Sequence, residues 1–309
     1  MLTTMKKRFS VLVPAFNRED CIKETIDSVL AQSFTDYELI VVNDGSSDRT
    51  QNVLESYGDR IKIIRQAQQG PEVARNNGAS QASGEYLALL DSDDLFLPCA
   101  LATYDKIIRA FDSPPLIIGS MADFATGDPV PTNDGRADVV EVLKYRDFLS
   151  KDITIGMSSS RIVVRKSVFE QVGGLRNSTP TTFHLDDYNL LFRVGTDGPC
   201  VVVVQPTTVA YRMHSANSRR DLEAMVQGVL SLIRDERLGK YPGGKTRRLA
   251  RYARIGGPIQ MWGRAALRSH RPGPAFRLLM AGWPMLVACA LQKLWIGLRG
   301  HQPTILLRK

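Results

Sequence analysis

The feature that most constrains this chain is the rhythm of its first ninety residues. Extended apolar runs, "FSVLVPAF" (9–16), "YELIVVND" (37–44), "RIKIIRQ" (60–66) and "EYLALLD" (85–91), alternate with segments of helical periodicity. The helical segments are "EDCIKETIDSVLAQS" (19–33), "SDRTQNVLESYG" (47–58), with a Ser/Asp start and a Gly stop, and a shorter one in "GPEVARNNGASQASG" (70–84). Strands joined by helices of this length pair in parallel through right-handed crossovers. Ligands of such α/β sheets collect at the carboxyl ends of the strands.

Four strand ends therefore converge: "PAFN", "NDGS", "RQAQQG" and "DSDD". The last is the sharpest signal. Asp91, Asp93 and Asp94 crowd three carboxylates at the end of a core strand, where like charges destabilise unless something occupies them. In an extended segment Asp91 and Asp93 point to one side, and such a carboxylate suits direct ligation of Mg²⁺ or Mn²⁺ with water and phosphate completing the shell. An EF-hand is excluded, because Phe96 stands where glycine is needed and Ala102 where the bidentate glutamate belongs. Asp94 alone is also placed to cap a helix starting near Pro98. The turn after the first strand, "PAFNRED", has no glycine, which argues against a dinucleotide fold and against the phosphate loop of a sugar nucleotidyltransferase.

Beyond residue 112 the pattern loosens. "PPLIIGSM" (114–121) reads as a strand and "RIVVRKSVFEQVGG" (161–174) as strand then helix. "DDYNLLFRVGTDG" (186–198) reads as a helix with an acidic start, and "PCVVVVQPTTVAYRMH" (199–214) as further strands. The four cysteines are far apart with no CxxC pair, which fits a reducing compartment and no zinc site. The opening "MKKRFSVLVPAF" reads as a first strand rather than a secretory signal.

The ordered segments "SVLVPAFNRED", "ELIVVNDGSSDRT", "QGPEVARNNGASQASGEYLALLDSDD", "VFEQVGG" and "LDDYNLLFRV" resemble the family-2 glycosyltransferases of the GT-A fold over about residues 9 to 215. The resemblance implies an α/β, Rossmann-like, mostly parallel sheet flanked by helices, with a helical basic C-terminal extension. It divides the chain into a nucleotide-sugar-binding half (1–112), an acceptor-binding half (113–222) and the extension (223–309). It implies metal-dependent, inverting transfer from a nucleoside diphosphate sugar, expected to be UDP-linked, to a hydroxyl acceptor. The competing readings are a sugar nucleotidyltransferase and a nucleotide-sugar-binding protein that has lost catalysis.

By this resemblance Pro14, Phe16 and Asn17 line the nucleotide pocket and Asp44 accepts from the nucleobase imide. Arg75 faces the base or the pyrophosphate, or else is a surface ion-pair partner. Asp91, with Ser92, is directed to the ribose or a metal-bound water, and Asp93 ligates Mn²⁺ or Mg²⁺ with Asp94 in support. Asp187 is the base that deprotonates the acceptor hydroxyl, and Asp186 raises its proton affinity by like-charge coupling. His214, in "YRMHSAN", completes the metal shell or touches phosphate, unless it is a hydrogen-bonded surface residue; Arg212 reaches the pyrophosphate and His184 the acceptor.

Charge is split. Of the 40 Lys and Arg, 15 lie between Arg237 and Lys309, where there is no Asp or Glu; the first 236 residues hold the other 25 against all 32 acids. Arg247, Arg251 and Arg254 share one helical face, and the apolar stretch Leu278–Leu291, at 14 residues, is short for a span. With Trp283, Trp295 and flanking Arg277, Lys293 and Arg299, it suits a helix lying in an anionic membrane interface. Packing of that helix on the catalytic domain is the alternative. The expected location is cytoplasmic, peripheral on the inner face of the cytoplasmic membrane. No nucleic-acid partner is expected, as no binding fold accompanies the charge.

Overall fold

The computed structural model describes residues 7–132, 138–150, 157–175, 185–214, 217, 220–299 and 303–308. Its first seven elements follow the sequence rhythm: β1 (Phe9–Ala15), α1 (Ile22–Leu30), β2 (Tyr37–Asp44), α2 (Thr50–Glu55), β3 (Lys62–Gln66), α3 (Pro71–Ser80) and β4 (Tyr86–Leu89). β1 lies parallel to β2 and to β4, with Ala15 opposite Asn43 and Leu12 opposite Leu89. These registers bring the ends of β1, β2 and β4 to one edge. The strands are apolar throughout because each is covered on both faces. Leu12, Ile40, Val42 and Leu89 pack into one core layer, and Val11, Val13, Val41 and Ala88 into the other.

The chain continues through β5 (Leu95–Phe96), α4 (Ala100–Ala110), β6 (Leu116–Ile118), β7 (Met121–Ala125), β8 (Val140–Tyr145), β9 (Ile162–Arg165), α5 (Lys166–Gln171), α6 (Asp186–Val194), β10 (Cys200–Gln205) and β11 (Val209–Met213). It ends with α7 (Leu222–Arg237), α8 (Arg248–Arg268), α9 (Pro272–Arg299) and β12 (Ile305–Leu307). One nine-stranded sheet runs β12-β8-β10-β6-β9-β4-β1-β2-β3, and a second, three-stranded sheet runs β5-β11-β7. In the large sheet β9 is antiparallel to β4 and β6, and β8 is antiparallel to β10 and β12; the remaining pairs are parallel.

Four strands, β5, β7, β8 and β12, have no counterpart in the sequence reading. In β8, Val140 and Val142 enter one core layer while Leu143 and Tyr145 enter the other, so the period-2 alternation of a half-buried strand is lost. β12 carries the C-terminus back to the sheet edge, antiparallel to β8.

The basic extension is not an appendage. Ile233 of α7, Ile255 and Ile259 of α8, and Leu278 and Met285 of α9 join the same buried cluster as the sheet. The face carrying Arg247 and Arg251 turns inward: Arg247 pairs with Asp147 at 2.5 Å and Arg251 with buried Glu236 at 2.6 Å. Two of the three arginines on that face are thus held by the protein's own acids. Helix α9 spans 28 residues with a break at Gly282, two residues before Pro284. It is the one described helix long and apolar enough to cross a membrane, so the 14-residue count understated it. One side of it is buried, while Leu279, Met280, Trp283, Val287, Leu291 and Trp295 are exposed.

Candidate active site

The site is built where the sheet ends. Asp44 closes β2 and is buried, and its carboxylate accepts from Gln66 Nε2 (2.7 Å), Gln69 N (2.9 Å) and Gly70 N (2.8 Å). These bonds clamp the β3–α3 loop onto β2, a role the sequence reading did not foresee. A carboxylate offers about four lone pairs, so Oδ2, with one donor, keeps acceptor capacity. The next residue, Gly45, has φ +77°, and a Cβ there would meet Gln68 N at 2.8 Å, so the tight turn requires glycine.

Pro14 is buried in β1 and Phe16 is half-buried at its end. Asn17 is exposed in the left-handed region; its Oδ1 accepts from Ser47 N at 2.8 Å and its own N–H donates to Ser46 Oγ at 3.0 Å. It thereby ties the β1 turn to the β2 turn. Asp48 uses its carboxylate to hold Thr50 N (2.9 Å) and Glu19 N (3.1 Å), the turn-capping role its position suggests.

After β4 the chain does not stay extended. "DSDD" folds into a turn closed by Asp94 N–H donating to Asp91 O at 3.1 Å, and its carboxylates go to different partners. Asp91 pairs with the guanidinium of Arg75. Asp93 Oδ2 lies 2.9 Å from His214 Nε2 and 3.7 Å from an Arg18 nitrogen. Asp94 is fully buried and accepts from Ser160 Oγ (2.6 Å) and Arg212 N (3.0 Å). Burial pushes the Asp94 carboxyl well above its usual range. It caps no helix: α4 starts at Ala100 and no side-chain hydrogen bond caps it. The expectation that Asp91 and Asp93 share one side is corrected by this turn, which separates them.

The carbonyl of buried Ser92 accepts from Thr25 Oγ1 at 2.9 Å and fixes the turn to α1. Arg212, expected at a pyrophosphate, lies beneath the turn instead. It donates to Asp93 O (2.9 Å), pairs with Glu24 (2.5 Å) and stacks 4.8 Å from the Phe124 ring. Asn217 accepts from His214 N–H and donates to Arg212 O at 3.0 Å, which holds the imidazole toward Asp93.

Arg75 joins the two halves of the site. It is buried on α3 and contacts both Asp91 and Asp186, the latter at 3.3 Å. It is therefore neither a surface partner nor directed at a base in this state. Burial raises the Asp91 carboxyl, opposed by the Arg75 cation. Asp186 and Asp187 open α6, preceded by Leu185 in the left-handed region. Asp187 is buried, with Oδ1 accepting from Tyr188 N at 2.7 Å. Asp186 faces an opposite charge, not only the like charge of Asp187 that the sequence reading weighed. His184 lies outside the described residues.

Sequence reasoning missed Arg18, Ser160 and Glu72. Arg18 was legible as a cation just after the first strand. Ser160 accepts from Asp91 N (3.0 Å) and donates to Asp94, and this pairing across distant sequence carries no local signal.

The described residues contain no cluster of three or more His, Cys, Asp or Glu side chains able to hold a metal. Asp93 and His214 do fit a divalent cation whose other ligands come from a bound diphosphate and water. One carboxylate oxygen and one imidazole nitrogen suit Mn²⁺ better than the oxygen-seeking Mg²⁺. Asp91, expected as a further ligand, is paired with Arg75 instead.

A mostly parallel sheet whose second and fourth strands deliver carboxylates beside the Asn17–Arg18 turn of the first has the fold of a GT-A glycosyltransferase. S. aureus TarS 1–349 superposes with a TM-score of 0.56 at 17% identity, over 88% of this chain and 90% of that one. The mannosyltransferase PcManGT from Pyrobaculum calidifontis gives 0.54 at 18% identity over 94% and 88%. The chain belongs to glycosyl transferase family 2, whose model matches residues 10–173. Among its relatives are an uncharacterized glycosyltransferase of Rickettsia felis (30% identical, 60% of this chain and 31% of that one) and the GalNAc(5)-diNAcBac-PP-undecaprenol beta-1,3-glucosyltransferase of Campylobacter jejuni (44%, 31% and 33%). The chain spans about a third of the length of these curated relatives.

Proposed function

We propose that this glycosyltransferase moves a sugar from a UDP-linked donor to a hydroxyl acceptor with inversion at the anomeric carbon, in the synthesis of a lipid-linked glycan or surface polysaccharide. The observation that carries the reading is the Arg75 bridge, which brings the start of α6 against the "DSDD" turn. Asp187 and the Asp93–His214 pair thus serve one crevice. Support for the donor comes from neighbours of the same fold, as TarS 1–349 is described in complex with UDP-GlcNAc and PcManGT with GDP-Man and Mn²⁺.

Pro14, Phe16 and Asn17 line the base end, and Asp44 uses its remaining lone pair for the imide N–H. Asp91 and Ser92 face the ribose. Asp93 and His214 hold Mn²⁺, or less well Mg²⁺, which when bound neutralises the departing diphosphate. Arg18 adds a fixed positive charge on the same side. Asp187 takes the proton of the attacking hydroxyl, while Asp186 stays neutralised by Arg75 and holds the helix start in place.

The exposed apolar side of α9 lies in the interface of an anionic membrane and brings a lipid-linked acceptor to the crevice. A relative whose name places its acceptor on undecaprenol supports this part. The test is a panel of nucleotide sugars with Mn²⁺ or Mg²⁺, read by binding and by the anomeric configuration of the product. One UDP-sugar should bind and give the inverted product. Failure of every nucleoside diphosphate to bind with either metal overturns the reading.

A further inference from the structure

Glu72 sits in the first turn of α3, one turn before Arg75 on the same helix face, and is 1% exposed. Neither of its carboxylate oxygens has a hydrogen-bond partner, and the buried Nε of Arg75 also lacks one. The charges that act on it are Asp186 at the start of α6, Arg75 itself, and Asp44 at the end of β2. Both Arg75 terminal nitrogens are committed, to Asp91 and Asp186. The protein has therefore enclosed a carboxyl served by no group but its own amide and, one helical turn on, a guanidinium Nε with nothing to donate to, among charges from both the base end and the transfer end of the site.

A structural role does not account for this. An acid in a helical first turn gains modestly from the helix dipole when exposed, and Glu72's own amide lends some stabilisation. Burying a carboxyl without any other partner costs considerably more. Packing alone would favour an apolar residue at this position. A group that serves one Glu72 oxygen and Arg75 Nε at once is a hydroxyl, which donates one hydrogen bond and accepts another.

We propose that Glu72 is a donor-recognition residue: its carboxyl accepts a hydrogen bond from a hydroxyl of the bound sugar nucleotide, whose oxygen accepts from Arg75 Nε. The inference rests on the donor site of the proposed function and adds a residue to it. The hydroxyl belongs either to the ribose or to the transferred sugar, and the experiment separates these sources. Burial, aided by Asp186, pushes the Glu72 carboxyl up to about 7. The free site therefore carries less negative charge against an incoming diphosphate.

The test is isothermal titration of the full chain with UDP, its 2′-deoxy and 3′-deoxy analogues, and the UDP-sugar preferred in the donor panel. Glu72→Ala should weaken the hydroxyl-bearing ligand about tenfold or more and leave the ligand lacking that hydroxyl unchanged. Coupling to a deoxy analogue assigns the ribose; coupling only to the sugar, with UDP unaffected, assigns the sugar. Glu72→Gln, which keeps an acceptor oxygen and volume, should recover most of the affinity and guards against a folding defect in Glu72→Ala. Equal weakening of all ligands, or no weakening, overturns the inference while the donor site stands. If no uridine ligand binds the wild type, the donor reading falls and takes this inference with it.

Discussion

Replacing Arg75 with methionine keeps most of the side-chain stem and removes the cation that bridges Asp91 and Asp186. Arg75 is 5% exposed, while the two carboxylates retain 28% and 14% of their surface. Breaking a buried ion pair from one side costs about 3–5 kcal/mol. Water reaches both carboxylates, which places the expected loss near the lower end, about 3 kcal/mol. The sign of its pH dependence is fixed. Burial already raises the folded-state Asp91 carboxyl above its ordinary value, and losing Arg75 raises it further. The folded variant then holds a proton that the unfolded chain has released, so its stability falls as pH climbs through that raised value. Urea unfolding at pH 7.5 and pH 5 should therefore show the larger deficit at pH 7.5. A midpoint matching wild type at pH 7.5, or a deficit that grows on acidification, would refute the bridge as a stabilising joint.

Four further outcomes are expected. Asp187→Asn should lower kcat by about 10²–10⁴ while the donor Kd holds, and full transfer activity would remove Asp187 as the base. His214→Ala should raise the Mn²⁺ concentration needed for half-maximal activity and affect Mg²⁺ less; an unchanged Mn²⁺ titration would contradict the pairing with Asp93. Glu72→Gln should flatten the pH dependence of unfolding between 4.5 and 7, because the folded carboxyl is raised to about 7 from 4.5 and its stabilisation is lost as pH rises through that window. The full effect is about 3 kcal/mol, read from urea midpoints across the range. Leu279→Glu with Trp283→Glu should abolish binding to anionic vesicles while transfer to a soluble acceptor persists; unchanged vesicle binding would remove α9 from the membrane interface.

Much of the first half was legible in sequence because its signals are local. The strand and helix periods, the glycine of "NDGS" and the acidic run of "DSDD" each report on neighbours a few residues away. The short strands β5 and β7 of the small sheet, the inner strand β8 and the returning β12 were not legible. β8 splits its apolar residues between two core layers, and β12 is three residues long, so neither leaves a period to read. The fate of the tail divided in the same way. Its charge and apolarity are in the composition, but that Arg247 and Arg251 turn inward to Asp147 and Glu236 depends on acids 100 and 15 residues away.

For the carboxylates, the sequence by itself determined that three acids stand at the end of a core strand and two more at a helix start. The order of five motifs carried the resemblance to this class of α/β enzyme. Only the tertiary structure assigned the partners: Asp91 to Arg75, Asp93 to His214, Asp94 to Ser160 and the Arg212 amide. It alone left Glu72 enclosed and unpaired. The reason is that a charge's role is set by what lies within a few ångströms, and in a doubly covered sheet those neighbours come from strands and helices far apart in the chain.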